Sequence, residues 1–432
     1  MALASLPFMS RPHAWLELRV WALMALPMGI LASGVTGVLV NTIFAGRVTE
    51  WALPIAVALV SGAGPLANVG SVLWSHWSRG KEKVAALTRL QGAFGACLLL
   101  VAAVPLNDAG LLVMVAAILA AQNVWCGIIT IRASIWQLNY SRMARTSFAA
   151  RNQVIVSVVM SAIGAGAGWL LDLDPESFRL LFVLTGACAF ASLLQSRGIR
   201  VRRQRQMLAA ELRGGAGRNF QPRLFWAILR NDRLYRDYMI CMMIFGSGNM
   251  MLVAPLVLVL TNNLGASSFE QVVIAAALPT LLMPFATPFW ARMLATNHVI
   301  AFRSNNSRWY VAASLLILAG TVLAYMPLLW IGSALLGIGI AGGSLGWNLG
   351  HNDFAPDDRA TDYLGLHISL TGLRGLVAPL LGVAAYGALE RWRPGAGTWA
   401  LALPLALTAV GAIGFQIMSR RLAAASASPS PR

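Results

Sequence analysis

The stretch LLVMVAAILAAQNVWCGIITI, residues 111–131, decides the fold, because it runs for twenty-one residues without a charged side chain. A helix rises 1.5 Å per residue, so about twenty residues cross the ~30 Å hydrocarbon core of a bilayer. Similar blocks recur along the 432-residue chain, which is 58% hydrophobic and 11% charged. Soluble domains carry about 25% charged residues. The sequence therefore predicts an integral membrane protein.

The apolar blocks predict twelve transmembrane helices. Segments of this length must satisfy their own backbone hydrogen bonds in lipid, so each is expected to be helical. The first block is too long for the apolar core of a cleaved signal peptide, and we interpret it as a retained helix. The predicted ranges are 20–43, 52–74, 85–106, 109–131, 149–171, 177–196, 237–261, 270–291, 309–327, 329–350, 364–388 and 397–417.

Basic residues are distributed unevenly between alternate loops. The net charge is +17, which in a soluble protein would suggest a nucleic-acid partner. However, 28 of the 33 Lys and Arg residues fall in one set of alternate segments, and only four fall in the other. This pattern follows the positive-inside rule and predicts an even helix count with both termini cytoplasmic. Since nearly all the basic residues are arginines, we expect a GC-rich bacterium and its cytoplasmic (inner) membrane.

A long basic segment divides the predicted helices into two groups of six. The segment 197–236 holds eleven arginines. We interpret it as a solvated linker drawn to anionic lipid headgroups, each basic residue near the surface contributing ~1 kcal/mol. A weak similarity between 145–152 and 360–367 agrees with repeated halves, which are common in transporters. The predicted organisation is a cytoplasmic N-terminus (1–19), a six-helix bundle (20–196), the basic cytoplasmic connector (197–236), a second six-helix bundle (237–417) and a cytoplasmic tail (418–432).

Two local motifs accompany this arrangement. WSRGKEKVAALTRL (77–90) joins the second and third helices, and GLRGLVAPLLG (372–382) lies in the eleventh. With the six-plus-six pattern, they resemble the major facilitator superfamily, whose loop motif is Gly-x-x-x-Asp-Arg-x-Gly-Arg-Lys. Trp77 and Ser78 stand where that motif has Asp and Arg, and Asn123 lies near the position of the family's helix-four arginine. The resemblance implies a secondary transporter working by alternating access. The Gly-Pro pattern that drug–proton antiporters have in helix five does not occur here, so drug–proton antiport is not expected.

The deepest charge is Arg374 in the eleventh helix. His367 and Thr371 precede it by seven and three residues, so the three share one helical face. Arginine binds carboxylates or phosphates through its planar fork, and histidine titrates near neutral pH. We therefore predict that this stripe binds substrate. The alternative is that helix carbonyls or an unassigned acid neutralise Arg374 structurally.

Other polar residues near the membrane extend the candidate site. Each alone is more often a helix–helix hydrogen bond worth ~0.6 kcal/mol than a ligand contact. The further substrate-binding candidates are Asn348, His351, Asn123, Gln122, Asn41, Asn249 and Asn152. The gating candidates are Gly80, Lys81, Arg142, Arg145, Asp353 and Asp357, with a solvated acidic loop as the alternative for the two aspartates.

None of the sixteen acidic residues lies near the middle of a predicted helix. Proton coupling often relies on a membrane carboxylate, so ion coupling, by protons or sodium, stays open. We expect a small anionic or zwitterionic substrate, the lipid bilayer as partner, no nucleic acid, no cofactor and no enzymatic activity.

Four alternatives to this reading remain, one of which is a non-transporting sensor or scaffold with a filled interior. Within transport, the chain is an exporter or flippase of an amphipathic compound, since buried charges are few. Methionines 239, 243 and 250 share a helical face and suit Cu(I), although methionine is also a routine core filler. A membrane-embedded transferase would use His351, Asp353 and His367. A phosphate loop of the Gly-x-x-x-x-Gly-Lys-Ser/Thr type does not occur in the sequence, so ATP-driven transport by this chain alone is not expected.

Overall fold

The computed structural model describes residues 11–213, 222–356 and 360–427, and every regular element in these ranges is helical. Twelve long helical segments, α1–α12, account for most of the chain, and two shorter helices, Gln204–Arg213 and Pro222–Asn231, lie between α6 and α7. The bounds are α1 Arg11–Ile30 with Ser33–Phe44; α2 Ala52–Ser61, Ala63–Ala67 and Ser71–Trp77; α3 Lys83–Ala102; α4 Asp108–Asn139; α5 Arg142–Leu173; α6 Phe178–Ser196; α7 Arg233–Asn262; α8 Ser268–Val272, Val273–Ala277 and Leu278–Thr296; α9 Val299–Val322; α10 Met326–Leu349; α11 Ala360–Trp392; and α12 Ala402–Ala427.

The all-α membrane fold predicted from the sequence is confirmed. Within the described ranges, nine helices are long and apolar enough to cross a membrane, and the bent α1 and α2 bring the count to eleven. The remaining long helix, α9, begins at Val299 and contains Arg303 and Arg308. We predicted its start at 309, and we predicted the end of α4 at 131 rather than Asn139. The apolar pattern located the helices but missed polar ends that continue the same helix.

Two helices of the first half are broken, and neighbouring amides on α4 contact both of them. α1 bends by 47° and α2 by 57°. A break in lipid exposes backbone groups that need another partner. The buried Gln122 side chain donates to the carbonyl of Leu31, at the α1 break, over 2.8 Å. Asn123 accepts from the indole N–H of Trp74 over 3.1 Å. A Cβ at Gly70, eight residues after the α2 break, would meet the Asn123 amide nitrogen at 2.5 Å.

The chain forms two compact units, Met1–Phe220 and Gln221–Arg432. In the first unit α3 packs closely on α6, since a Cβ at Gly95 would lie 2.9 Å from the ring of Phe190. In the same interface the Gln91 amide donates to the Ser192 hydroxyl over 3.0 Å. Small residues and buried amides let these helices approach without losing hydrogen bonds.

In the second unit α10 packs on α9 and α8 through a row of glycines. A Cβ at Gly339 would meet the ring of Tyr310 at 3.1 Å, and one at Gly346 would meet the Arg303 guanidinium at 3.0 Å. The α8 face is tighter still, because a Cβ at Gly337 would lie 2.5 Å from the carbonyl oxygen of Pro279. These contacts bring the polar residues of α9 against the backbone of α10.

Replacing Gly337 with alanine tests this packing. The new Cβ meets backbone atoms of Pro279, which cannot rotate away, so we expect the free energy of unfolding to fall by about 1–3 kcal/mol. Gly166→Ala is the matched control, because nothing lies within 4 Å of a Cβ there, and alanine favours helix by up to ~1 kcal/mol. Thermal unfolding of the detergent-purified variants measures both. Equal midpoints for the two variants would contradict the packing.

Candidate functional site

Arg374 is buried in the middle of α11. It is the fifteenth of 33 residues in the helix and is 2% exposed. Its guanidinium donates to the carbonyl of Met242 on α7 and, over 2.8 Å, to the hydroxyl of Thr371. Thr371 in turn donates to the carbonyl of His367 over 2.8 Å and accepts from the indole of Trp347 on α10 over 3.2 Å. The predicted stripe is thus a connected polar cluster between α7, α10 and α11.

Gly246 makes room for this arginine. A Cβ at Gly246 would lie 2.7 Å from Cζ of Arg374. The guanidinium therefore lies directly against the α7 backbone, one helical turn from Met242. Any side chain at position 246 would displace the guanidinium from the α7 backbone.

Among the described residues, the hydrogen-bond partners of the Arg374 guanidinium are neutral. Over residues 11–213, 222–356 and 360–427, no ion pair joins a carboxylate to Arg374 or to Arg303. The Arg303 guanidinium lies against the same stretch of α10 as Trp347, since a Cβ at Gly346 would meet its Cζ at 3.0 Å. A second buried arginine therefore lies next to the cluster, and a buried charge without a counter-charge is costly. An anion entering the cluster would supply the missing charge.

The predicted helix ranges leave Arg303 in the loop before the ninth helix, and the structure corrects this. Arg303 is the fifth residue of α9 and is 2% exposed. Its guanidinium donates to the carbonyl of Gly343 over 3.2 Å. The missed signal was the polar run R-S-N-N-S-R at 303–308, which lowered the apolarity of a true helix.

Several buried polar atoms of the second unit have no hydrogen-bond partner among the described residues. Buried polar groups are paired in most proteins, so each exception calls for a functional or structural explanation. Two of these atoms are Nε of Arg374 and Nε of Arg303. The others are Nε2 of His367, Nδ1 of His351, Oη of Tyr238, Oδ1 of Asn249, Oδ1 of Asn306 and Oγ1 of Thr408.

The candidate residues at the end of α10 and just after it have different environments. His351 is buried in a short 3₁₀ turn. Asn348 is exposed and its amide donates to the Ser344 carbonyl over 2.8 Å, one turn earlier in the same helix. The Asp353 carboxylate accepts from the backbone N–H of Val299 over 2.6 Å, which caps α9. Asp357, the other predicted gating aspartate, lies outside the described residues.

Two candidate residues of the first unit hydrogen-bond to neighbouring helices. Gln122 donates to the backbone at the α1 break, and Asn123 accepts from Trp74 of α2. Asn41 and Asn152 are both buried, and Oδ1 of Asn152 has no hydrogen-bond partner among the described residues. Arg145 is half-buried on α5. Arg142 begins α5, and its side chain lies outside the described part.

The predicted gating loop between α2 and α3 binds the connector. Gly80 has a left-handed backbone, with φ of +64°, and its N–H donates to the Glu211 carboxylate over 2.8 Å. The buried Lys83 ammonium pairs with the same carboxylate at 2.9 Å. Lys81 lies over the Trp77 ring, 3.8 Å from its centroid. The carboxylate next to this loop therefore comes from the connector helix Gln204–Arg213.

Sequence reasoning also missed a polar cluster in the first unit. Glu17, expected in the cytoplasmic N-terminus, is a residue of α1 and is 1% exposed. It accepts from the indole of Trp136 and, over 3.0 Å, from the hydroxyl of Tyr140. The Arg132 guanidinium lies over the rings of Trp21 and Trp136, at 4.7 and 4.6 Å from the centroids. A helix start predicted nine residues late concealed this carboxylate.

The structure also places the residues of the two alternative chemistries. Of the three methionines considered for Cu(I), Met239 is buried in the apolar core of the second unit, and Met243 and Met250 are half-buried on α7. The Asp353 carboxylate, needed by the transferase hypothesis, is engaged in capping α9.

The fold and this buried polar cluster define a polytopic helical membrane protein of the transporter class. The sequence matches the family model of the Major Facilitator Superfamily over residues 50–379. The chain belongs to the major facilitator superfamily, and the resemblance inferred from the sequence is confirmed.

Solved structures share the fold at low sequence identity. The nucleoside transporter NupG matches with a TM-score of 0.71 and 12% identity, over 93% of this chain and 99% of that chain. An auto-inhibited peptide transporter of the POT family matches with a TM-score of 0.67 and 13% identity, over 94% and 96%. The xylose transporter XylE from E. coli matches with a TM-score of 0.67 and 12% identity, over 94% and 95%. No curated protein matches the sequence.

Glu211→Gln tests the docking of the connector helix. Without the carboxylate, the buried Lys83 ammonium loses its charged partner, and we expect the docking to weaken by about 1–3 kcal/mol. Amide hydrogen exchange of residues 204–213 should accelerate accordingly. Glu50→Gln is the matched control, because Glu50 is exposed in the loop between α1 and α2, and surface changes stay within about 0.5 kcal/mol. Unchanged exchange in Glu211→Gln would show that the ion pair does not hold the helix.

Proposed function

We propose that this protein is a secondary transporter that moves a small anionic or zwitterionic solute across the membrane by alternating access. The observation that carries the proposal is the buried Arg374 guanidinium, whose partners among the described residues are a carbonyl and a hydroxyl. The planar guanidinium can donate two parallel hydrogen bonds to a carboxylate or phosphate. The family supports transport, and the anion class is inferred from the site.

Arg303 and His367 support the same substrate class. Two nearby buried guanidiniums repel, and binding an anion would relieve that repulsion. Nε2 of His367 has no hydrogen-bond partner among the described residues and is available to hydrogen-bond a carboxylate or phosphate oxygen. The fold itself does not select the substrate, since the structural neighbours are named for a nucleoside, a sugar and peptides.

We also propose that the arginine-rich connector and both termini face the cytoplasm, in a bacterial inner membrane. The support is the loop bias of the sequence, in which 28 of 33 basic residues fall on one side. Once a substrate is identified, flux measurements would determine whether protons or sodium ions drive its transport.

A thermal-shift screen with purified protein tests the substrate class. The ligands are organic acids, phosphates, amino acids, sugars, lysolipids and Cu(I). A ligand at one hundred times its dissociation constant stabilises the folded protein by ~2.7 kcal/mol. We expect an anion to stabilise the wild type and Arg308→Gln, which removes an exposed charge from the same helix as Arg303. Arg374→Gln should lose the response.

Arg374→Lys covers the case in which Arg374→Gln does not fold. Lysine keeps the charge but not the planar fork, so we expect weaker anion binding by about tenfold, because a bidentate site does not tolerate the exchange. Uptake of the stabilising anion by proteoliposomes would then establish transport. If no anion shifts the wild type, or Arg374→Gln responds equally, the anion proposal is wrong. Stabilisation by lysolipids alone would favour the amphiphile exporter.

A further inference from the structure

The short helix Pro222–Asn231 ends just before α7 and has two unlike faces. Its inner face packs on the second unit: Ile228 is buried, and Leu229 packs against the same core. Phe225 lies against α11, where a Cβ at Gly365 would contact its ring at 3.4 Å. This face holds the helix against the ends of α7 and α11.

A hydrogen-bonded junction fixes the helix to both neighbours. Asp232 caps α7 by accepting from the N–H of Tyr235 over 2.9 Å. Its second oxygen accepts from the hydroxyl of Tyr363 on α11 over 3.0 Å. The Asp232 N–H donates to the carbonyl of Ile228 over 2.9 Å. The position of the helix is therefore set relative to two membrane-spanning helices.

The outer face carries a large aromatic residue beside arginines. Trp226 is 70% exposed, and Arg230, one turn later, is also exposed. Arg233 is exposed at the first turn of α7, followed by exposed Leu234 and Ile240. Exposed apolar side chains thus continue from the wall of a transmembrane helix to Trp226, with arginines between them.

This combination matches the chemistry of a membrane interface. Tryptophan concentrates at headgroup level, because its ring is apolar and its N–H needs a polar partner. Basic residues next to the end of a transmembrane helix are attracted to anionic headgroups, each contributing ~1 kcal/mol. Since α7 starts two residues after this helix ends, the helix cannot lie far from the bilayer surface.

We propose that Pro222–Asn231 is an interfacial helix that binds anionic phospholipid, with Trp226 inserted among the headgroups and Arg230 and Arg233 holding their phosphates. The charge complementarity of arginine and anionic headgroups selects this partner over water or a second copy of the chain. The site is separate from the Arg374 cluster, so its test does not depend on the transported solute.

The depth of position 226 is measured on the full-length protein in liposomes of phosphatidylcholine and phosphatidylglycerol. The four native cysteines are replaced by alanine and a nitroxide is attached at Trp226→Cys. Ile240→Cys supplies a membrane reference, and Glu50→Cys, exposed in the loop between α1 and α2, supplies a water reference. Collisions with oxygen, which concentrates in lipid, and with a water-soluble nickel chelate report depth. We expect position 226 to resemble Ile240 more than Glu50.

Two results would overturn the proposal. Nickel access equal to that of Glu50 would place Trp226 in water. Shielding from both reagents would place it against protein, either a second copy or another part of the chain.

A second experiment measures the preference for anionic lipid in a protein that keeps its native cysteines. Its result therefore does not depend on whether the cysteine-free protein folds. Preference for spin-labelled phosphatidylglycerol over phosphatidylcholine should fall about fivefold per arginine in Arg230→Gln/Arg233→Gln. The double lysine variant should keep it. Arg391→Gln/Arg393→Gln removes the same charge near the other end of α11. An equal fall in that control, or no fall in the first variant, would contradict the lipid site.

Discussion

Hydrocarbon offers no hydrogen-bond partner, so a polar group inside this protein must find one within the chain or wait for a ligand. The broken helices show the first outcome. Gln122 supplies the partner that the Leu31 carbonyl loses at the bend in α1. In α8, which contains a π-helical turn, Ser333 donates to the Ile274 carbonyl over 2.7 Å. Such residues look like ligand contacts in the sequence, but their hydrogen bonds already serve the backbone.

The Arg374 cluster shows the second outcome. Among the residues that the structure describes, Arg374 has neutral partners and an unpaired Nε, and Arg303 on α9 does too. The glycines that face the two guanidiniums, Gly246 and Gly346, admit the charges against backbone, where carbonyl dipoles lower their cost only in part. Neither arginine has a carboxylate partner within the described part of the chain, so a bound anion would lower the cost of burying both charges. The close helix packing and the proposed substrate class are linked in this way.

Residues near helix ends show how far sequence reasoning reached. Long apolar runs located the membrane segments, and the 3.6-residue period placed His367, Thr371 and Arg374 on one face. The same method placed Glu17 and Arg303 outside the membrane segments, although both lie in helices. Hydropathy averages over a window, so a helix whose charged residues face protein rather than lipid is shortened at its polar end.

Composition and periodicity by themselves determined an all-α membrane protein, its two groups of helices, its uneven loop charge and the polar stripe of α11. These properties depend on residues close together in the chain. Only the tertiary structure decided that Glu211 meets Gly80 and Lys83, that Arg303 belongs to a buried cluster, and that Gln122 serves a helix break. Each of those contacts joins segments distant in sequence. Which partner a polar side chain finds depends on how close two helices pack, and one helix's own pattern carries no record of that distance.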